Sequence, residues 1–266
     1  MSGQPPSSTS QPRATTEPNP LTVYTLRLAD DALVLAQRMG QWIAHAPQLE
    51  EDVALANIGL DLLGQARSLL TYAGSVEAAG RGEDDLAYFR EERDYTNALL
   101  CELDNGDFAV TMARLLVFSC YQCELYARLS GSNDPTLAAV AAKAVKEVSY
   151  HRDHATAWVV RLGDGTEESH RRMQSALDAI WPYVEELFET DALVAALADR
   201  GTGVDPASLR EPALARVDAV LAQATLSRPE TRVRQSGGRR GVHTEAMGYL
   251  LAEMQHLARS HPGASW

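Results

Sequence analysis

Apolar and polar positions recur at helical spacing over most of residues 21–266. The first such stretch, Thr22 to Ala44, carries Leu26, Leu33, Met39 and Trp42 among its apolar positions. The next, Asp52 to Val76, is apolar almost all the way round; between Asp52 and Glu77 its only charged residues are Asp61 and Arg67. A helix of that kind is expected to be buried among others. A buried Asp61 would then need a hydrogen bond, a counter-charge or a metal. Pro47 is expected near the first helical position, where its missing N–H does no harm. A third helix starts at the N-cap residue Asp107 and runs to about Ser130 through Met112, Leu115, Leu116, Phe118 and Leu125. A fourth opens on Asp134-Pro135, continues to Leu162 and stops at Gly163-Asp164-Gly165. Its stripe is Leu137, Ala141, Ala144, Val148, Ala155, Trp158 and Leu162, with His151 on it and Glu147 at its edge.

Thr166 to Phe188 reads as a fifth helix bent near Pro182. Shorter helices follow at about 190–199 and 211–224. The last helix, Thr244 to Arg259, is expected to face inward with Met247, Leu250, Leu251, Met254 and Leu257. No stretch alternates in the manner of a strand. Residues 80–106 are polar and Gly-punctuated, a long connection with a short helix around Asp84 to Phe89. Such a crossover separates a ferritin-like bundle from a simple up-down bundle. The expected fold is therefore all-α, a ferritin-like four-helix bundle with a long crossover plus a C-terminal helical extension. Residues 21–266 are expected to form one domain. Residues 1–20, rich in Pro, Ser and Thr, are expected to be a disordered tail.

The balance of 24 basic and 36 acidic residues, net −12, gives no electrostatic case for nucleic acid or an anionic membrane. No uninterrupted apolar run reaches the roughly 20 residues of a membrane span. Three cysteines (Cys101, Cys120, Cys123) with no apolar leader point to a cytoplasmic protein without a disulfide framework.

Polar groups at helix centres raise the question of a dinuclear metal site, which in such bundles uses Glu-x-x-His on facing helices. That motif occurs at Glu167–His170 and Glu253–His256, both in polar settings that read as solvated surface. The central helices offer instead Asp61 with Gln65 and Glu147 with His151, both at i, i+4. Asp61, Glu147 and His151 could bind one metal. The preferred reading is a buried polar cluster, with Arg67 or Lys146 as counter-charges, because structural ion-pair networks imitate functional sites. Cys120-x-x-Cys123 lies inside an apolar helix and reads as packing. The loop Ser236 to Gly241 places Arg239 and Arg240 beside glycines before a helix. It could hold a phosphate, including those of coenzyme A, or contact a partner's acids.

The stretches TLRLADDALVLAQRMGQWIAHAPQLEEDVALANIGLDLLGQAR, AAKAVKEVSYHRDHATAWVVRLGDGTEE, SGGRRGVHTEAMGYLLAEMQ and the ending HPGASW resemble the PaaC-type subunits of bacterial phenylacetyl-CoA ring 1,2-epoxidases. The resemblance covers roughly residues 21 to 266. It implies a related catalytic PaaA-type subunit that holds a di-iron site, binds phenylacetyl-CoA and performs the chemistry, paired with a structural subunit of the same fold. Aligned on Trp42 to Pro47, the sister's first Glu-x-x-His falls on Leu62 and Gln65, and its second on Val148 and His151. Only His151 keeps a ligand type. Asp61 and Glu147 each sit one place before a vacated Glu slot, about 100° round the helix, and Glu124 is the lone acid that the third helix offers.

The implied role is a non-catalytic subunit that stabilises the catalytic sister in aerobic phenylacetate degradation and binds no cofactor itself. The di-iron would reside in that sister. Electrons would come from NADPH through a reductase with FAD and an iron–sulfur centre, and a small bridging subunit would complete the complex. The alternative is an oxygenase in its own right using Asp61, Glu147 and His151.

Overall fold

The structure, a computed structural model, describes residues 19–77 and 79–264. The expected tail at residues 1–20 lies outside the described residues except at its end. There Asn19 caps the first helix by accepting from the Leu21 N–H at 3.0 Å, and Pro20 is already helical. Four long helices carry the architecture: α1 (Pro20–Gly40), α2 (Leu49–Val76), α5 (Phe108–Leu129) and α6 (Pro135–Gly163). Helix α1 packs along α2 and α5 along α6; contact between α2 and α6 joins the two hairpins. The crossover holds α3 (Glu83–Tyr88), a 3₁₀ turn at Glu92–Asp94 and α4 (Leu99–Glu102). After α6 come α7 (Glu167–Ile180), α8 (Ala192–Asp199), α9 (Arg210–Gln223) and α10 (Glu245–Ser260). The described residues contain no strand. The architecture is the all-α, ferritin-like bundle that the sequence pattern predicts.

The boundaries follow local chemistry. Asp107 caps α5 by accepting from the Val110 N–H, and Asp134 caps α6 by accepting from Thr136 and Leu137. Pro47 lies before α2 rather than in its first turn, and the chain turns on Ala44 at φ 66°. The expected bend near Pro182 is a change of helix type. Helix α7 ends at Ile180, and Trp181–Tyr183 and Glu185–Phe188 continue as 3₁₀ turns.

The buried faces differ from the expectation at three places. Helix α5, not α2, is the central helix: 16 of its 22 residues are buried, against 10 of 28 in α2. By length and hydropathy α5 could pass for a membrane span, but it lies inside the bundle. On α6 the buried stripe ends Ala155, Val159, Gly163; Trp158 and Leu162 stand at its edge. Trp158 packs edge-on against Phe108, which packs edge-on against Trp42. On α10 Leu257 is exposed, and Gln255 is buried in its place, donating to the Tyr95 hydroxyl and the Arg90 carbonyl.

The crossover and the loop before α10 have few backbone partners of their own. Four buried carboxylates supply them. On α1, Asp30 accepts from Arg90 and from the Thr96 N–H at 2.8 Å; Asp31 accepts from the Ala98 N–H at 2.7 Å and from Arg239 at 2.8 and 2.9 Å. Glu102 accepts from the Thr244 N–H, His243 and Asn97 at 2.6–2.8 Å. Glu186 accepts from the N–H groups of Leu99, Gly237 and Gly238 at 2.6–2.8 Å. Gly238 lies so close that a Cβ there would meet the Asn97 carbonyl oxygen at 2.1 Å.

Two consequences are measurable. Arg90→Met would strand the fully buried Asp30, and removing one partner of a buried ion pair costs about 3–5 kcal/mol. Denaturant unfolding should show that loss, with a smaller loss in the double variant Asp30→Asn/Arg90→Met. Burial disfavours the charge on His243, but the hydrogen bond and charge of Glu102 outweigh it and raise its pKa. A raised folded-state pKa gives stability that is complete below the unfolded value of about 6.5 and is lost as pH rises through the folded value. The stability gap between wild type and His243→Gln should therefore narrow as pH is raised through that window.

Candidate functional site

The residues singled out in the sequence meet along the contact between α2 and α6. His151, 1% exposed on α6, has its Nε2 3.0 Å from Asp61 Oδ2 on α2. One helical turn away, the Gln65 amide donates to Glu147 at 3.0 Å and accepts from the Tyr126 hydroxyl at 3.3 Å. Lys143, one turn before Glu147, stands 3.5 Å from its carboxylate. Further along, His154 lies 3.1 Å from Glu51 and stacks on Tyr150.

The expected buried cluster is thus divided. His151 and Asp61 form one pair, and Glu147 belongs to a second with Gln65 and Lys143. Asp61 is not buried: its side chain is 36% exposed, because α2 presents this face outward. Neither Arg67 nor Lys146 serves as a counter-charge, since Arg67 pairs with Glu83 at 2.8 Å and Lys146 is exposed. Burial lowers the pKa of His151, against the hydrogen bond and charge of Asp61, and burial lowers that of His154 too.

The slots that the family resemblance assigns to a di-iron site do not fit one. Leu62 and Val148 are completely buried and offer no donor atom, and Gln65 is held by Glu147 and Tyr126. Glu124 is engaged with Arg128 at 2.7 Å. Among the described residues no group of three or more His, Cys, Asp or Glu is arranged to hold a metal ion. Of the literal Glu-x-x-His motifs, Glu167, Glu253 and His256 are exposed, and His170 turns to the Gly163 carbonyl. Cys120 is buried and half-buried Cys123 approaches the Val148 carbonyl, consistent with packing.

The Gly-Arg loop binds an anion, but an internal one. The Gly237 and Gly238 N–H groups, which a phosphate would need, donate to Glu186, and Arg239 is committed to Asp31. Burial opposes the charge on Arg239, but Asp31 outweighs it and holds the guanidinium protonated. Of the two arginines in this loop, Arg240 is the exposed one.

Helix α2 also exposes a row of apolar residues. Val53 and Leu60 are 54% and 64% exposed, Leu49 and Leu63 extend the row, and Tyr150 of α6, 51% exposed, stacks on the His154 that reaches Glu51 of α2. Contiguous exposed apolar residues mark interaction surfaces.

A model of the family described as "Phenylacetic acid catabolic protein" matches residues 6–266. The chain is also 49% identical, over 249 residues, to a protein of Escherichia coli (strain K12) named as the C subunit of 1,2-phenylacetyl-CoA epoxidase, covering 93% of this chain and 100% of that relative. The ferritin-like bundle agrees with these two similarities, which place the chain: it belongs to the phenylacetic acid catabolic protein family.

Proposed function

We propose that this chain is a non-catalytic structural subunit of the phenylacetyl-CoA ring 1,2-epoxidase complex in phenylacetate degradation. The observation that carries the reading is the pair of fully buried apolar residues, Leu62 and Val148, where a di-iron bundle would carry carboxylates. The 49% identity to a relative named as the C subunit of such an epoxidase supports the choice of complex. In this reading the di-iron centre sits in a sister subunit of the same fold, which inserts one oxygen atom into the aromatic ring of phenylacetyl-CoA. A cytoplasmic reductase using NADPH, FAD and an iron–sulfur centre supplies electrons, and a small bridging protein completes the assembly.

The work of this chain is mechanical. Its ion-paired crossover fixes α1 against α4 and the loop before α10, and that frame presents the outer face of α2. The catalytic sister is the partner proposed for the row Val53, Leu60 and Leu63 with Tyr150, because an apolar centre within a polar rim is how such interfaces are built. A reading in which Asp61, Glu147 and His151 bind metal would require Glu147 to leave Gln65 and Lys143, and nothing in the geometry favours that.

Co-purification tests the proposal. Leu60→Asp places a charge at the centre of the exposed row, where burial against a partner would desolvate it. The variant should keep the wild-type helical signal and melting temperature yet lose at least about tenfold in affinity for the catalytic sister, which corresponds to about 1.4 kcal/mol. Unchanged affinity would remove α2 from the interface.

A further inference from the structure

A cleft of about 170 Å³ opens between α1, α5 and the segment leading through α8. It lies apart from the α2–α6 contact and plays no part in the role proposed above. Its walls are apolar: Leu28, Leu125, Leu187 and Val204 are all buried side chains that line it. An enclosed cavity of roughly 150 Å³ accommodates benzene, so the space matches a single ring.

The polar groups of the cleft are unevenly satisfied. Three guanidinium groups line it, from Arg27, Arg239 and Arg240. Arg27 is paired with Asp191 at 2.6 Å and Arg239 with Asp31 at 2.8 Å. Arg240 has neither an ion pair nor a hydrogen bond from its side chain among the described residues. Tyr121 is 3% exposed, yet its hydroxyl has no partner among the described residues either. The Tyr121 oxygen keeps some solvent access, so its O–H is free to donate to a ligand, and the fully buried polar atom without a partner among the residues of the cleft is Arg27 Nε. Burial pushes the Tyr121 phenol above its ordinary pKa. The hydroxyl of Tyr24, also on the cleft, accepts from the Val204 N–H at 3.1 Å and leaves its own hydrogen without an acceptor. Two phenol donors and one uncommitted cation thus border an apolar space, and what they lack is an acceptor with negative charge. Two carboxylates oppose an anion there: Asp191, which Arg27 neutralises, and Glu189, exposed at the edge.

We propose that this cleft binds a small monoanion with an apolar body, a single ring bearing one carboxylate, with the carboxylate facing Arg240 and the Tyr121 hydroxyl. The ring lies against the leucines, and the pairs Arg27–Asp191 and Arg239–Asp31 hold the cationic side of the cleft in place without competing for the ligand.

Benzoate is the probe, titrated into the full chain by calorimetry with saturation-transfer NMR to locate the bound ring. Saturable one-site binding at millimolar benzoate is expected. Arg240→Ala should weaken it about tenfold and Tyr121→Phe about threefold, the losses typical of a charged and a neutral hydrogen bond. Glu189→Gln should tighten it, and neutral benzamide should bind at least about tenfold more weakly. Arg240 is exposed and Phe preserves the buried ring, so both variants should keep the wild-type melting temperature. No saturable binding to the wild type, or equal affinity in the Arg240→Ala and Tyr121→Phe variants, would overturn the proposal.

Discussion

The structure depends on the carboxylates that α1 and the crossover bury. A ferritin-like bundle must send its chain from one hairpin to the other, and the connecting segment cannot close its own hydrogen bonds as a helix does. Asp30 and Asp31 are adjacent in sequence, each receives a crossover N–H, and each is neutralised by an arginine from a different segment: Arg90 from the crossover and Arg239 from the loop before α10. Glu186 and Glu102 take up further N–H groups of the crossover and of the loop before α10, and Glu102 is paired with His243 instead of an arginine. The C-terminal extension is thereby tied to the first helix. Buried ion pairs of this kind are weak sources of net stability, but breaking one is expensive, and that asymmetry favours a single arrangement of the crossover.

That frame explains what the long helices are free to do. With α5 enclosed and α1 committed to the crossover, α2 keeps only one face in the core. Its inner positions, where a metal-binding relative would need carboxylates, are filled by Leu62 and the amide of Gln65. Val148 does the same on α6. Apolar packing there removes the problem of buried like charges, and the polar groups that remain, His151 with Asp61 and Gln65 with Glu147, pair across the contact between the helices. The outer face of α2 keeps apolar residues that solvent alone does not explain. A protein that keeps the bundle, packs these inner positions with apolar side chains and presents an apolar helix face has the form that the proposed structural role requires.

Much of this is legible in the sequence. The four long helices, the caps at Asp107 and Asp134, the stop at Gly163 and the long crossover follow from periodicity and turn chemistry. Burial is harder to read. The apolar character of α2 predicts a buried helix, but an apolar surface awaiting a partner has the same composition as an apolar core. For that reason Asp61 is expected inside and stands half outside. The ion-pair frame escapes a sequence reading because its members are far apart in the chain: Asp31 meets Arg239 across 208 positions. One local signal exists, the two adjacent aspartates within the largely apolar run LRLADDALVL, where the single arginine, Arg27, could neutralise at most one of them. The glycines of the loop before α10 signal an anion correctly, but spacing cannot reveal that the anion is Glu186.

The most direct test of a structural role is where the iron resides. Elemental analysis should be made on this chain purified alone after growth in ample iron, and on the complex assembled with the catalytic sister. We predict substoichiometric iron in the isolated chain and iron that tracks the catalytic sister in the complex. Stoichiometric iron in the isolated chain, lost on His151→Ala while the fold persists, would contradict a structural role and place the chemistry here.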